Sequence, residues 1–311
     1  MLVSGPAGTG KTALVNRFGI RAEAAGGLYV YAKADTIKRD IPFSTLAATV
    51  DILLKKIIAE NPAGREALKS TVRQSLVQDK PLPISLVPAL AYLFEFESAG
   101  ACQEGIQDGP FTELGLLSLL EALAALRQPL VLFLDDLQWM DESSLFFLRY
   151  LAVNGLMAGV MLVMAFRDGD RDAGRGLEET LAQYRNPQNC LGLSLSGLTK
   201  RDTRGYVKQR LDNGRDLNPL ADICHHKTAG NPFYLARLVD ELLEKGVVCR
   251  EQGGWVYDID YLSALKFSDN VIDTLIERLQ QLDENSLVLL KQATCIQGEI
   301  SVELLQVTSG F

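Results

Sequence analysis

The chain has 311 residues, of which 47% are hydrophobic and 23% are charged. This composition is that of a globular protein with a sizeable core, and it excludes the collagen-like, disordered and disulfide-scaffold classes. The 31 basic and 39 acidic side chains leave a net charge of −8, which argues against a basic surface for nucleic acid.

Short apolar runs alternate with helical patterns through the first two hundred residues. This alternation predicts an α/β fold in which helices cover both faces of a parallel sheet. The first predicted helix runs from about Lys11 to Gly26-Gly27, and the side chains expected on its apolar face are Leu14, Val15 and Phe18. The predicted strands are Leu2–Ser4, Leu28–Ala32, Leu130–Leu134, Val160–Phe166 and Leu191–Leu195.

Residues 42–128 form a long insertion between the second and third predicted strands. Helical spacing of apolar side chains predicts one helix through Leu46–Ile57 and another through Leu114–Leu126. The Gly- and acid-rich stretch Glu97–Gly109 is predicted to be a mobile loop.

After the fifth strand the pattern becomes helical, and three helices are predicted to form a small lid. Thr199, with Asp202 three residues later, is typical of a capped helix N-terminus. Asn218-Pro219 and Asn231-Pro232 predict two further helix starts, and Gly246 ends the third helix. The elements predicted beyond it are a β-hairpin over Val247–Tyr257 and amphipathic helices over Val271–Leu282 and Ser286–Cys295.

The five cysteines are scattered, and the two histidines, His225 and His226, are adjacent. This pattern predicts reduced thiols and no zinc site. The longest apolar run, Val160–Phe166, is far shorter than the roughly 20 residues that cross a bilayer. We therefore expect a cytoplasmic protein without a membrane span.

A glycine-rich segment near the N-terminus fits the Walker A pattern G-x-x-x-x-G-K-[ST], between a predicted strand and a predicted helix. Its glycines allow backbone N–H groups to curl around phosphate oxygens, and the helix presents its positive dipole end to the same anion. We expect Lys11 to reach the β- and γ-phosphates of ATP and Thr12 to ligate Mg²⁺. The predicted nucleotide-binding residues are Gly5, Pro6, Ala7, Gly8, Thr9, Gly10, Lys11 and Thr12.

The apolar strand Leu130–Leu134 runs directly into two carboxylates, Asp135 and Asp136. Ligand groups lie at the carboxyl ends of parallel strands. Asp135 is therefore predicted to hold Mg²⁺, the Walker B role, and Asp136 to orient an attacking water. A strand that ends in a solvated acidic turn is the alternative.

The strand Val160–Phe166 is followed at once by Arg167. A guanidinium at this place can bind the γ-phosphate of ATP through a charge-assisted hydrogen bond. A structural ion pair with a nearby aspartate is the alternative. The residues predicted to act in catalysis are Lys11, Asp135, Asp136 and Arg167.

Four segments together resemble the STAND class of AAA-like signalling ATPases, the regulatory modules of bacterial multidomain kinases and large transcriptional regulators. They are Gly5–Thr12, Val131–Asp141, Phe166–Asp168 and Lys227–Phe233, and Lys38–Ser44 also looks like the subgroup fused to sensor kinases. The resemblance implies a P-loop NTPase core over residues 1–197, a helical lid over 198–246, and a hairpin with a truncated winged-helix-like region over 247–311.

The same resemblance implies a nucleotide-dependent switch that binds ATP or ADP with Mg²⁺. Hydrolysis is expected to be slow, because Asp136 stands where hydrolysing relatives usually carry the longer Glu. The resemblance also implies that Pro232 packs near the adenine, although a proline at the first position of a helix has a sufficient reason in helix capping. Gln138, Trp139 and Asp141 either face the nucleotide or pack the loop.

Relatives of this kind have a segment before the first strand that helps to hold the adenine, whereas Gly5 follows only four residues here. We therefore expect a piece of a larger signalling protein, whose other domains are its partners, and nucleotide-dependent oligomerisation. Two other functions fit the same core. A DNA-associated loader ATPase is disfavoured by the acidic balance, so nucleic acid is not an expected partner, and a small-molecule kinase would use Asp136 as its base.

Overall fold

The computed structural model describes residues 1–61, 64–76, 84–94, 110–126, 128–155, 158–169, 175–185, 190–211, 217–251, 254–264, 279 and 282–295. The chain divides into two compact units, Met1–Gly197 and Leu198–Phe311, and each is described by itself. The division into three domains that the sequence suggests remains a prediction.

A five-stranded parallel sheet forms the centre of the first unit, with the strand order β2-β3-β4-β1-β5. The strands are β1 (Leu2–Ser4), β2 (Leu28–Lys33), β3 (Leu130–Asp135), β4 (Val160–Ala165) and β5 (Gly192–Ser194). All five predicted strands are present, with ends that differ by at most one residue. The predicted α/β fold, a parallel sheet between layers of helices, is confirmed.

The helices described in this unit surround the sheet. They are α1 (Lys11–Ala24), α2 (Ser44–Glu60), α3 (Arg65–Ser75), α4 (Ala89–Phe94), α5 (Pro110–Leu126), α6 (Glu142–Asn154) and α7 (Arg175–Tyr184), with short 3₁₀ turns at Thr36–Lys38 and Leu137–Trp139. Both helices predicted in the insertion are present, as α2 and α5. The predicted mobile loop Glu97–Gly109 lies outside the described residues.

Strand β3 is buried along its whole length because helices cover both of its faces. Val131 and Phe133 share a buried cluster with Val15 of α1. On the opposite face, Leu132 and Leu134 join the larger cluster built by α2, α5 and α6. Burial of each such side chain stabilises the fold by about 1.5–3 kcal/mol. The strand therefore holds its carboxyl end, with Asp135, in a fixed place.

The buried face of α1 differs from the prediction. Lys11, Val15 and Gly19 face the sheet, whereas Leu14 and Phe18 are each 42% exposed. A Cβ atom at Gly19 would lie 2.5 Å from the Tyr29 ring, so the absence of a side chain at Gly19 lets α1 pack closely against β2 at this point. The expectation for Leu14 and Phe18 was therefore wrong, since the smallest side chain rather than the largest ones sets the packed face.

The second unit is mainly helical. Its described elements are α8 (Lys200–Leu211), α9 (Asn218–Thr228), α10 (Pro232–Glu244), the antiparallel pair β6 (Val248–Glu251) and β7 (Gly254–Tyr257), α11 (Ile259–Ala264) and α12 (Glu284–Cys295). The predicted hairpin is thus present, and α12 includes the predicted helix Ser286–Cys295. Most of the predicted helix Val271–Leu282 lies outside the described residues.

Two of the three predicted helix starts of this unit show side-chain caps, at Thr199 and Asn231, whereas α9 begins at Asn218 without a side-chain hydrogen bond from its N-cap Leu217. The Thr199 backbone N–H and hydroxyl both donate to Asp202 Oδ2, and the Asp202 N–H donates back to Thr199 Oγ1 at 3.2 Å. Asn231 Oδ1 accepts the backbone N–H groups of Phe233 and Tyr234. Across the described residues of both units, no helix has the length and apolar character needed for a bilayer span.

Candidate nucleotide-binding site

The glycine-rich loop joins the carboxyl end of β1 to the first residue of α1. Three of its glycines have positive φ, namely +147° at Gly5, +78° at Gly8 and +89° at Gly10. A Cβ atom at Gly5 would lie 2.4 Å from the carbonyl oxygen of Leu195, so a side chain there would collide with the backbone. Gly10 forms the left-handed N-cap of α1. The loop conformation therefore requires glycine where the motif has it.

Lys11 is the first residue of α1, and it is only 7% exposed. Its ammonium Nζ donates to the carbonyl oxygens of Gly5 at 2.7 Å and Pro6 at 3.0 Å, so it lies against the loop that it is predicted to serve. Burial, together with the charge of Arg167, lowers the pKa of Lys11. The partners of this ammonium are neutral carbonyl oxygens, so a phosphate close to it would stabilise its charge.

Thr12 and Asp135 lie side by side, although 123 positions separate them in the sequence. The Thr12 hydroxyl donates to Asp135 Oδ2 at 2.6 Å, the Asp136 backbone N–H donates to Oδ1 at 2.9 Å, and the Tyr31 hydroxyl donates to Oδ2 at 3.4 Å. These three donors are neutral, so they orient the carboxylate and leave its charge in place. A hydroxyl beside a charged carboxylate is a donor set that suits Mg²⁺.

Few protein ligands are needed for this ion. Among the residues with described positions, no group of three or more His, Cys, Asp or Glu side chains has the arrangement of a metal site. Mg²⁺ in nucleotide sites takes one or two side-chain oxygens and completes its shell with phosphate oxygens and waters. The Thr12 and Asp135 pair is consistent with that kind of binding.

Asp136 has a different set of neighbours from Asp135. Lys33 Nζ lies 3.2 Å from Asp136 Oδ2, while Gln138 Nε2 donates to Oδ1 at 3.0 Å and Arg167 Nε lies 3.7 Å from the same oxygen. Its backbone is left-handed, with φ of +54°, a conformation that aspartate tolerates better than most residues. Both oxygens of the carboxylate are therefore held, and two of the three partners are cations.

An open cleft of about 400 Å³ lies at this carboxyl edge of the sheet. Its lining residues are Lys33, Ala34, Asp35, Thr36, Asp136, Trp139 and Arg167. They come from the ends of β2, β3 and β4, three neighbouring strands. The fold thus brings together the phosphate loop, Asp135, Asp136 and Arg167, as the sequence predicts for the carboxyl ends of parallel strands.

Comparison with known proteins identifies the family. Residues 1–163, just over half of the chain, match the family model described as AAA ATPase domain. The chain belongs to the AAA ATPase domain family. Hybrid signal transduction histidine kinase G of Dictyostelium discoideum is 20% identical over 375 residues, which include 98% of the chain and 11% of the kinase. The chain thus spans about a tenth of the length of this relative.

Several solved structures have a distant overall likeness to this AAA ATPase domain protein. The ORC2 protein of Aeropyrum pernix is 15% identical, with 99% of the chain and 72% of that protein aligned and a TM-score of 0.42. The Aeropyrum pernix ORC1 protein, solved in complex with DNA, is 16% identical, with coverage of 99% and 70% and a TM-score of 0.44. CDC6P of Pyrobaculum aerophilum is 12% identical, with coverage of 79% and 56% and a TM-score of 0.42. The family assignment depends on none of these.

Three residues of the AAA ATPase domain could not be assigned from the sequence, and the structure separates them. Gln138 is 2% exposed, binds Asp136 and accepts the backbone N–H of Arg167 at 3.3 Å, so it belongs to the site. Trp139 lines the cleft. Asp141 is 1% exposed and serves the packing of the loop, as an N-cap of α6.

Sequence reasoning missed two residues of the site, Tyr31 and Lys33. Both lie on β2, and Lys33 pairs in register with Asp135 of β3. The position of Lys33 could have been predicted in part. If β2 and β3 are adjacent parallel strands whose carboxyl ends are level, Lys33 lies beside Asp135 and Asp136. Tyr31 lies on the same face of β2 as Lys33, since side chains alternate along a strand.

Pro232 lies in the second unit. It is the first residue of α10, directly after the N-cap Asn231, which is the position that helix capping explains. Its contact with adenine remains a prediction. His225 Nδ1 lies 3.0 Å from the Thr203 hydroxyl, so this histidine has a hydrogen-bond partner within that unit.

Proposed function

We propose that this AAA ATPase domain is a nucleotide-dependent switch of a signal-transduction protein, which binds Mg·ATP or Mg·ADP and hydrolyses ATP slowly. The observation that carries the proposal is the meeting of the glycine loop, the Thr12–Asp135 pair and the Asp136–Arg167 pair at one edge of the sheet. These are the kinds of group that an NTPase uses to bind phosphate and Mg²⁺ and to orient a water.

The loop supplies most of the proposed phosphate binding. The loop residues Ala7 to Gly10 would present backbone N–H groups to the phosphates, and the N-terminus of α1 would add the positive end of the helix dipole. Lys11 would contact the β- and γ-phosphates. Thr12 and Asp135 would hold Mg²⁺, which neutralises phosphate charge when it is bound. In this proposal the first strand, the loop and α1 together bind the phosphates of the nucleotide.

Slow hydrolysis follows from the surroundings of Asp136. To orient a water, its carboxylate must exchange a contact with Lys33, Gln138 or Arg167 for one with the water. Its short side chain also reaches less far than Glu, and small errors in position are costly for catalysis. Arg167 would bind the γ-phosphate and so distinguish ATP from ADP.

The regulatory role rests on a smaller basis. The alignment with a hybrid signal transduction histidine kinase covers nearly the whole chain but only 11% of that kinase, which fits a module within a larger signalling protein. The STAND class is supported by the motifs alone, including the Gly230-Asn231-Pro232 segment in which Pro232 would pack near adenine. The other domains and a nucleotide-dependent oligomer are the partners that we propose.

The decisive experiment compares nucleotide-induced thermal stabilisation in the wild type, Lys11→Ala and Lys38→Ala. Lys38 is an exposed lysine of the same unit and is the matched control. All three proteins are measured at the same Mg·ADP concentration, one hundred times the wild-type dissociation constant, which should stabilise the wild type by about 2.7 kcal/mol. We expect this shift in the wild type and Lys38→Ala and its loss in Lys11→Ala. Equal shifts in all three proteins would refute the loop assignment. Phosphate release without any added acceptor separates hydrolysis from the kinase alternative.

A further inference from the structure

Tyr31 lies on β2 with its hydroxyl directed at the predicted metal site. Its backbone pairs in register with Phe133 of β3, and the two ring centroids are 5.3 Å apart. From this anchored position the hydroxyl donates to Asp135 Oδ2 at 3.4 Å. A tyrosine phenol carries its proton at neutral pH, so Tyr31 is a neutral hydrogen-bond donor to this carboxylate.

The phenol contacts the same carboxylate oxygen as the Thr12 hydroxyl. Thr12 Oγ1 lies 2.6 Å from Asp135 Oδ2, and the backbone N–H of Asp136 fixes the other oxygen, Oδ1, at 2.9 Å. A carboxylate that holds a cation depends on such outer hydrogen bonds for its orientation. Tyr31 differs from the other two donors because it comes from the neighbouring strand β2. Its hydrogen bond therefore fixes the Asp135 side chain relative to that strand.

The neutral character of this donor matters as well. A cation in the place of the phenol would compete with Mg²⁺ for the charge of Asp135, as Lys33 and Arg167 would for the charge of Asp136. A phenol restrains the carboxylate and leaves its charge for the metal.

We infer that Tyr31 is a positioning residue for the magnesium site, acting through its hydrogen bond to Asp135. The inference rests on the proposed function, since it assigns a supporting residue to the Mg²⁺ that the Thr12–Asp135 pair would hold. The Tyr31 hydroxyl donates to Asp135, and Tyr31 is not among the residues that line the cleft with Asp136. Its influence is therefore on the metal and not on nucleotide binding as such.

The chain provides a matched control two residues earlier on the same strand face. Tyr29 carries an identical side chain, but its hydroxyl donates to Asn16 Oδ1 at 2.5 Å. Tyr31→Phe and Tyr29→Phe each remove one oxygen atom and keep the ring. Any effect of a lost tyrosine hydroxyl on the packing of β2 should occur in both variants. An effect on Asp135 should occur in Tyr31→Phe alone.

The experiment uses the full chain and measures binding of a fluorescent ADP over a series of Mg²⁺ concentrations, and again in EDTA. For Tyr31→Phe we expect the Mg²⁺ concentration at half-maximal binding to rise about tenfold, at the low end of outer-shell effects on metal sites. Affinity in EDTA should stay within about twofold of the wild type, as should both values for Tyr29→Phe, because the phosphate loop is unchanged in each.

Each outcome decides the inference. An unchanged Mg²⁺ midpoint in Tyr31→Phe, or an equal rise in Tyr29→Phe, overturns the positioning role while the proposed function stands. A wild type that binds no nucleotide at any Mg²⁺ concentration overturns the proposed function, and the inference with it. Thermal unfolding without nucleotide confirms that both variants are folded.

Discussion

Asp141 offers a sharp test of how the loops beside the site are held. Its carboxylate accepts five hydrogen bonds while being 1% exposed. Oδ1 receives the backbone N–H groups of Phe43 and Ser144, and Oδ2 receives the Thr45 N–H together with two serine hydroxyls, those of Ser44 and Ser144. One side chain therefore caps both α6 and α2.

The cost of removing this carboxylate can be worked from its donors. In Asp141→Ala, three buried backbone N–H groups lose their acceptor, while the two hydroxyls can rotate to other partners. At about 1–3 kcal/mol for each unsatisfied group, and allowing for some entry of water, the free energy of unfolding should fall by about 3–5 kcal/mol. Asp141→Asn keeps an acceptor oxygen at the Oδ1 position for the N–H groups of Phe43 and Ser144. Its amide nitrogen takes the place of Oδ2, so the Thr45 N–H faces a donor and loses its acceptor. The loss of this one bond should cost about 1–2 kcal/mol.

Urea unfolding followed by tryptophan fluorescence measures these differences. The sequence has two tryptophans, and a Trp255→Phe background leaves Trp139, which is close to Asp141, to report on the first unit. Asp35→Ala is the matched control, because this exposed aspartate caps a 3₁₀ turn with a single bond to the Ile37 N–H at 3.0 Å. Its cost should be below about 1 kcal/mol. The reasoning is refuted if Asp141→Ala destabilises the protein no more than Asp35→Ala does.

Two further predictions concern single side chains. Lys33 is 59% exposed in its ion pair with Asp136, so Lys33→Met should lower the free energy of unfolding by less than about 1 kcal/mol, and less still in 1 M NaCl; a salt-independent loss of about 2 kcal/mol or more by urea unfolding would contradict this. Burial raises the pKa of Cys224 to about 12, whereas Cys249 is exposed. A thiol reagent at pH 8 should therefore label Cys249 rapidly and Cys224 only after unfolding, which peptide mapping resolves, and equal rates would contradict the burial of Cys224. Because the fold favours the protonated Cys224 thiol, its contribution to stability is complete below the ordinary thiol pKa of about 9 and is lost as the pH rises toward 12.

The sequence revealed those parts of the site that are continuous in the chain. The phosphate loop is a single segment, and Asp135 and Asp136 follow an apolar strand whose burial is evident from its composition. The same holds for the capped helices at Thr199 and Asn231, where the cap and its partners are three residues apart or fewer.

Three features that depend on particular tertiary contacts were not predicted. Asp141 meets Phe43 across 98 positions, and no local pattern pairs them. Tyr31 reaches Asp135 only because β2 and β3 are neighbours in a particular register. The buried face of α1 is set by Gly19 against Tyr29, whereas apolar spacing favoured Leu14 and Phe18. Periodicity predicts an element, but the choice of face and partner belongs to packing.

The two adjacent carboxylates have different surroundings, and this difference predicts different functions. The neutral donors around Asp135 leave its charge for a cation, whereas Lys33 and Arg167 already lie near the charge of Asp136. Asp135→Asn should therefore raise the Mg²⁺ concentration that nucleotide binding requires by about tenfold or more. Asp136→Asn should leave the Mg²⁺ requirement within about threefold and reduce ATP turnover by about 100-fold, the scale of losing a positioned general base.

Asparagine is the right replacement at both positions because it keeps the size of the side chain. At Asp136 it also tolerates the left-handed backbone, with φ of +54°, so the loop should keep its shape. Nucleotide affinity across a Mg²⁺ series and phosphate release are measured for both variants under the same conditions. If Asp136→Asn shifts the Mg²⁺ requirement as strongly as Asp135→Asn, the carboxylates share the metal and the division of roles fails. If turnover survives Asp136→Asn, another group orients the water, and the donors around Asp136 then serve only to hold the end of β3.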